Sequence, residues 1–233
     1  MIVKAFLLAA GLGTRLRPLT DHMPKCLVPI RGQPLLGWWF RLLERHGVQH
    51  VFINLHHLAD RVHEFLDQYQ GPLQITRSFE KVLLGSAGTL RANRTFVGSE
   101  YAFLICYADN LTNADLPALV RFHRERQSLF TMGLFRPDDP RRSGMVETDI
   151  TGRVIRFQEK PTHPAGEYAN AGIYVSHPSV LNLIPETVPS DISYHLLPQL
   201  VGAMYAQPIT GYLRDIGTPD AYRRAQGEWT SDY

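Results

Sequence analysis

A chain of 233 residues that is 44% hydrophobic and 20% charged is long enough for one sizeable buried core and has an ordinary globular composition. No apolar run approaches the roughly 18 residues of a membrane-spanning helix, and a net charge of +2 gives no warrant for a nucleic-acid polymer or a membrane as partner. Two cysteines, Cys26 and Cys106, without metal-ligand spacing, exclude a disulfide framework and fit a reducing cytoplasm.

The apolar run IVKAFLLAA (2–10) predicts a buried first strand. It is not read as a signal peptide, because it leads directly into a glycine loop that cleavage would destroy. QPLLGWWFRLLERHG (33–47) places Leu35, Leu36, Trp39, Leu42 and Leu43 at helical spacing, with Gly47 at its end. Strand VFINL (51–55), helix LADRVHEFLDQY (58–69) and strand LQIT (73–76) follow, then the buried strand YAFLICY (101–107), helix LPALVRFHRERQ (116–127) and strand LFTMGLF (129–135). This alternation predicts an α/β, Rossmann-like, doubly wound sheet, mostly parallel with mixed additions, in a single domain spanning residues 1–233. Beyond Arg136 the pattern loosens: a hairpin turning at Asp149 to Gly152, a strand at 168–176, and short helices at 177–185, 193–205 and 218–229.

The loop after the first strand carries the chemistry. Ala9, Ala10 and Gly11 let the chain turn sharply at the strand's C-terminal edge, where open α/β sheets bind ligands. Gly11 and Gly13 allow backbone amides to face phosphate oxygens. The dinucleotide pattern GxGxxG requires Gly where Leu16 stands, and the P-loop pattern fails because neither glycine precedes Lys. Arg15, Arg17 and Lys25 add positive charge suited to phosphate, although charge alone also fits a solvated basic loop. Asp109 follows the buried run 101–107 and Asp215 follows ITGYL, so each reads either as a carboxylate offered to a hard cation or as a helix cap. Glu159 and Lys160 alone read as a solvated pair, and Asn170 with Gly172 as a turn. His56, His57, Asp60 and His63 are not read as a metal cluster, Cys26 is read as a small hydrophobe, and Trp38 and Trp39 as packing or an oligomer contact, with a homodimer one such assembly.

The spelling AAGLGTRLRPLTDHMPKCLVPIRGQP (9–34) resembles the signature of the sugar-1-phosphate nucleotidyltransferases, and LLGSAGTL (83–90), YADN (107–110), EKP (159–161), NAGIY (170–174) and RDIGTPDAY (214–222) agree in order along nearly the whole chain. The resemblance implies condensation of a nucleoside triphosphate with a sugar 1-phosphate, giving an NDP-sugar and pyrophosphate. It implies catalytic roles for Arg15, Lys25 and Asp109, and a nucleotide site of Leu8, Ala10, Gly11, Gly13, Thr14, Arg15, Gly85 and Gly88. It further implies a sugar-phosphate site of Asn110, Glu159, Lys160, Asn170 and Gly172, with Mg²⁺ on Asp109 and Asp215. LLGSAGTL and NLHHLADRVHEFL look most like the branch using GTP with mannose or manno-heptose 1-phosphate; uridylyl or thymidylyl transfer to N-acetylmuramate or glucose 1-phosphate is the nearest alternative. No C-terminal β-helix domain is expected. The rivals from other classes are a silent sugar-nucleotide sensor, against which the retained charged residues argue, and a dinucleotide-dependent oxidoreductase, which Leu16 opposes.

Overall fold

The computed structural model describes residues 2–230. The first strand β1 (Lys4–Leu8) leads through three short 3-10 turns to the two-residue hairpin β2 (Pro29–Ile30) and β3 (Gln33–Pro34), then α1 (Leu35–Arg45), β4 (His50–Leu55), α2 (Ala59–Asp67) and β5 (Gln74–Phe79). There follow α3 (Ser86–Ala92), β6 (Phe103–Tyr107), β7 (Asn110–Thr112), α4 (Leu116–Glu125), β8 (Phe130–Phe135), the hairpin β9 (Gly144–Thr148) and β10 (Val154–Glu159), and β11 (Tyr168–Ser176). The last elements are α5 (Leu197–Leu200), β12 (Tyr205–Pro208), β13 (Leu213–Asp215) and α6 (Pro219–Glu228).

The main sheet runs β10-β9-β11-β6-β1-β4-β5, with β8 on β11 and β12 on β8. β1 pairs in parallel with β4 and β6, β4 with β5, and β8 with β12, whereas β11 runs antiparallel to β6, β8 and β9. This is the mixed α/β sheet expected from the alternation. Successive strand residues face opposite layers: Ala5 and Leu7 pack with α1 residues Leu36 and Trp39 on one face, while Phe6 and Leu8 pack with Phe103, Phe130 and Tyr174 on the other. Strands buried on both faces are continuous apolar runs, which is why 101–107 was legible.

A third cluster joins Leu16, Val28, Ile30 and Trp38 to Leu111, Ile216, Ala225 and Trp229. Around it the β2–β3 turn is riveted to α6. Arg31 donates to the carbonyls of Trp229 and Gly227, and Gln226 Nε2 and the Tyr222 hydroxyl both donate to the Pro29 carbonyl.

The segment 193–205, expected as one short helix, is helical only as far as Leu200. A π-helical turn at Ile192–Leu196 runs into α5, which ends at Leu200; Gly202 takes a left-handed conformation at φ 84°, and the chain then enters β12, pairing with β8 from Tyr205. The hairpin turn at Asp149 is as expected, with Asp149 Oδ1 accepting from the amides of Thr151 and Arg153.

Candidate active site

Two strand ends bring the principal charges together. β6 ends at Tyr107, the Ala108 amide donates to Leu8 O, and β7 begins at Asn110, so Asp109 stands at the sheet's C-terminal edge beside the glycine loop. β7 pairs with β13 in the register Asn110 to Asp215, and the Ile216 amide donates to Asp109 O. The two aspartates are therefore neighbours although 106 positions separate them in the chain. Lys25, only 7% exposed, donates from Nζ to Asp109 Oδ2 at 2.6 Å and to Asp215 Oδ1 at 3.0 Å. Arg15 Nη2 lies 3.6 Å from Asp215 Oδ2. Burial works to lower the Lys25 pKa, but the combined charge and hydrogen bonds of both aspartates outweigh it and hold the ammonium above its ordinary value.

Two carboxylates that converge on one nitrogen also converge on any cation that took its place, and paired carboxylate oxygens are a donor set a hard divalent ion accepts. Among the described residues no three His, Cys, Asp or Glu side chains gather as a metal site, so these two would have to be supplemented by oxygens of a ligand. His56 and His57 serve the loops instead, bonding the carbonyls of Glu80 and Thr20.

Two cavities meet at this charged junction. One of about 390 Å³ is lined by Leu8, Ala10, Gly11, Asn54, Glu80 and Gly85 among others; the second, of about 430 Å³, by Asn110, Arg142, Glu159, Lys160, Asn170 and Gly172 among others. Arg15 and Asp215 line the second, Lys25 the first, and Asp109 both. Of the residues that the resemblance placed on the nucleotide, Gly13, Thr14 and Gly88 lie outside both cavities. Gly13 sits in a left-handed turn against Thr20, Thr14 is exposed, and Gly88 faces a separate cleft beside Arg91.

Several glycines answer to the protein's own packing. A Cβ on Gly85 would lie 2.3 Å from Ser190 O, and one on Gly172 would lie 2.4 Å from the Tyr107 ring. Gly11 differs: a Cβ there would meet nothing within 4 Å, so the protein's own packing does not require glycine at this position, which borders the first cavity.

In the second cavity Asn170 receives the Gly172 amide on Oδ1 and donates to the Tyr174 hydroxyl, while Asn110 donates to Ala171 O. Lys160 adopts φ 47°, left-handed for a non-glycine residue, with its amide held by Ser143 O; such strain concentrates at ligand-binding positions. Glu159 has its pKa raised chiefly by burial, against the pull of Lys160 3.8 Å away.

Sequence reasoning missed Asn54 and Glu80. Asn54 Oδ1 accepts from the Ala9 amide, and its Nδ2 donates to Glu80 Oε1 and Thr89 Oγ1; Glu80 Oε2 accepts from the Leu84 amide. Both are about 4% exposed. A polar residue inside the apolar run VFINL was a readable signal for Asn54. SFEKVL gave none for Glu80, which reads as surface charge.

The sequence profile described as Nucleotidyl transferase matches residues 4–232. The chain belongs to the nucleotidyl transferase family. It is 34% identical over 244 residues to a UTP--glucose-1-phosphate uridylyltransferase of Synechocystis sp., covering 97% of this chain and 63% of the relative. It is also 34% identical to mannose-1-phosphate guanylyltransferase 1 of Arabidopsis thaliana, covering 94% and 63%. The chain thus spans about 63% of the length of these curated relatives. Among solved structures, HddC from Yersinia pseudotuberculosis complexed with GMP-PN has the same fold, with a TM-score of 0.84 at 23% identity over 98% of this chain and 100% of that one.

Proposed function

We propose that this member of the family is a sugar-1-phosphate nucleotidyltransferase that joins GTP to a manno-configured sugar 1-phosphate, mannose or a manno-heptose, releasing pyrophosphate. The observation that carries the class is the meeting of two cavities at Lys25, Asp109 and Asp215. One cavity takes the nucleotide, with Gly11 leaving room for close approach, and the other takes the sugar around Glu159, Lys160 and Asn170.

The reaction is an in-line displacement at the α-phosphorus, so the protein's contribution is alignment and charge compensation. Arg15 and Lys160 bring cations to the phosphates, Lys160 beside the attacking phosphate oxygen. Asp109 and Asp215 would hold Mg²⁺, which supplies charge neutralisation and a common anchor for the phosphates. Lys25, which lines the first cavity between the two aspartates, adds an ammonium on the side of the triphosphate.

For the base, the choice of guanine rests on the likeness of LLGSAGTL and NLHHLADRVHEFL to the guanylyl branch; Glu80 is held by the protein itself, its Oε1 accepting from Asn54 and Thr89 and its Oε2 from the Leu84 amide. The relatives named for mannose 1-phosphate and the neighbour solved with GMP-PN agree with this choice, and the uridylyltransferase relative marks the alternative. Pyrophosphate release, measured across four NTPs against a panel of sugar 1-phosphates, tests the reading. A preference for GTP supports it, and a preference for UTP or dTTP overturns the base assignment.

A further inference from the structure

Tyr107, Asp109 and Asp191 are the residues that line both cavities. Two of them are committed. Tyr107 shares hydrogen bonds with Ser86 and Tyr174, which burial and packing hold in place, and Asp109 holds Lys25. Asp191 is different: among the described residues it has no ion-pair partner. Its Oδ1 accepts from the amide and the hydroxyl of Ser86, each at 3.3 Å, which leaves Oδ2 as an acceptor. Its backbone is fixed as well: the Asp191 amide donates to His195 Nδ1, the Ile192 amide donates to Ser86 Oγ, and Ser190 O caps the amides of Ala87 and Gly88.

A rigid carboxylate without a cation, in a site that must collect polyphosphate, is repelled by every phosphoryl oxygen. It is tolerated where it meets hydroxyl donors. Oδ1 is taken on the nucleotide side by Ser86, and on the sugar side the charge of Asp191 helps raise the Glu159 pKa, after burial and against Lys160. The following residues Ser193 and Tyr194 line the sugar cavity too. The two substrates react at the junction, so the sugar's C1 phosphate must lie there, and the hydroxyl nearest to it is the one on C2.

We infer that Asp191 accepts a hydrogen bond from the C2 hydroxyl of the sugar 1-phosphate, and so selects sugars that carry this hydroxyl in one configuration. The inference rests on the nucleotidyltransferase reading but not on the identity of the base. Asp191 is then the residue that tells the C2 epimers apart.

The test compares kcat/KM for mannose 1-phosphate, its C2 epimer glucose 1-phosphate, and 2-deoxyglucose 1-phosphate, the deoxy parent of both. A hydrogen bond to a charged acceptor predicts about a 10- to 100-fold preference of the wild type for its favoured epimer over the deoxy sugar. Asp191→Ala should bring that ratio within about 3-fold of unity. Asp191→Asn keeps a carbonyl acceptor of the same shape and should recover part of the ratio. A purely structural role would lower all three sugars alike and leave the ratio where it was, which would overturn the inference; so would a wild type that uses all three sugars equally. Should Asp191→Ala fail to fold, the Asn variant decides: a ratio reduced about 3-fold or more supports the contact, and an unchanged ratio removes it. A wild type that releases no pyrophosphate with any pair of substrates refutes the nucleotidyltransferase reading itself, an outcome distinct from an active enzyme whose ratio ignores Asp191.

Discussion

Gly217→Ala places a methyl group against the charges of Asp215 and Arg15 without touching the core. The backbone at Gly217 is not left-handed, so alanine fits its dihedral angles, but the new Cβ would lie 2.6 Å from Asp215 Oδ2 and 2.9 Å from both Asp215 Oδ1 and Arg15 Nη2. Ordinary contact begins near 3.4 Å, so the carboxylate must move by about 0.8 Å. It is free to do so because Asp215 is half-exposed, and the protein should yield there rather than unfold. Stability should change by no more than about 1 kcal/mol, since loss of glycine's unfolded-state freedom offsets part of the crowding. Activity should respond far more, because a misplacement near 1 Å costs on the order of 10²-fold when alignment supplies the rate. The assay is kcat for pyrophosphate release alongside the thermal midpoint. Gly227→Ala in α6, where a Cβ would meet nothing within 4 Å, is the control and should be fully active. An unchanged melting temperature with near-normal kcat in Gly217→Ala would refute the claim that the position of Asp215 limits the rate.

Asp109→Asn and Asp215→Asn should each lower turnover by about 10²-fold or more, and the double variant should lose much less than the product if both act through one Mg²⁺; near-normal Mg²⁺-dependent turnover in either single variant, or multiplying effects, would exclude a shared ion. His123 is buried, with Nδ1 on Thr131 Oγ1 and its pKa pushed down by burial to about 4. Its folded pKa lies below the unfolded value of 6.5, so the unfolded chain binds the extra proton and stability is lost as pH falls from 6.5 towards 4. In urea titrations, His123→Asn, which keeps a partner for Thr131 and does not titrate, should show a shallower fall across that window; an identical slope would show that other groups dominate it.

What the sequence revealed depended on whether a feature announced itself locally. β1, β4 and β6 are apolar runs long enough to read, and the glycine loop is spelled out over contiguous residues. β7 and β13 are three residues each and carry no period; they exist because each finds the other about 100 positions away, yet they fix the spacing of Asp109 and Asp215. Lys25 was legible as a charge for phosphate, but its hold on both aspartates was not, because that contact is made only by the tertiary structure. Gly85 and Gly172 were assigned to the nucleotide and sugar-phosphate sites by resemblance, whereas Ser190 and Tyr107 already occupy the space that side chains there would need. Glu80 was invisible because a buried carboxylate and a surface one are spelled alike.

The riveting of the β2–β3 turn to α6 has a bearing on when the charged centre can form. Lys25 is made 190 residues before Asp215, and the apolar cluster around Trp38 and Trp229 that backs both cannot close until α6 has been made. A growing chain can complete β1, β4 and β6 and still possess only one side of its charged centre. The charged centre therefore closes only when the β2–β3 turn and α6 meet, so a molecule cut between β6 and β13 should keep Lys25 and Asp109 but lose the hold of Asp215.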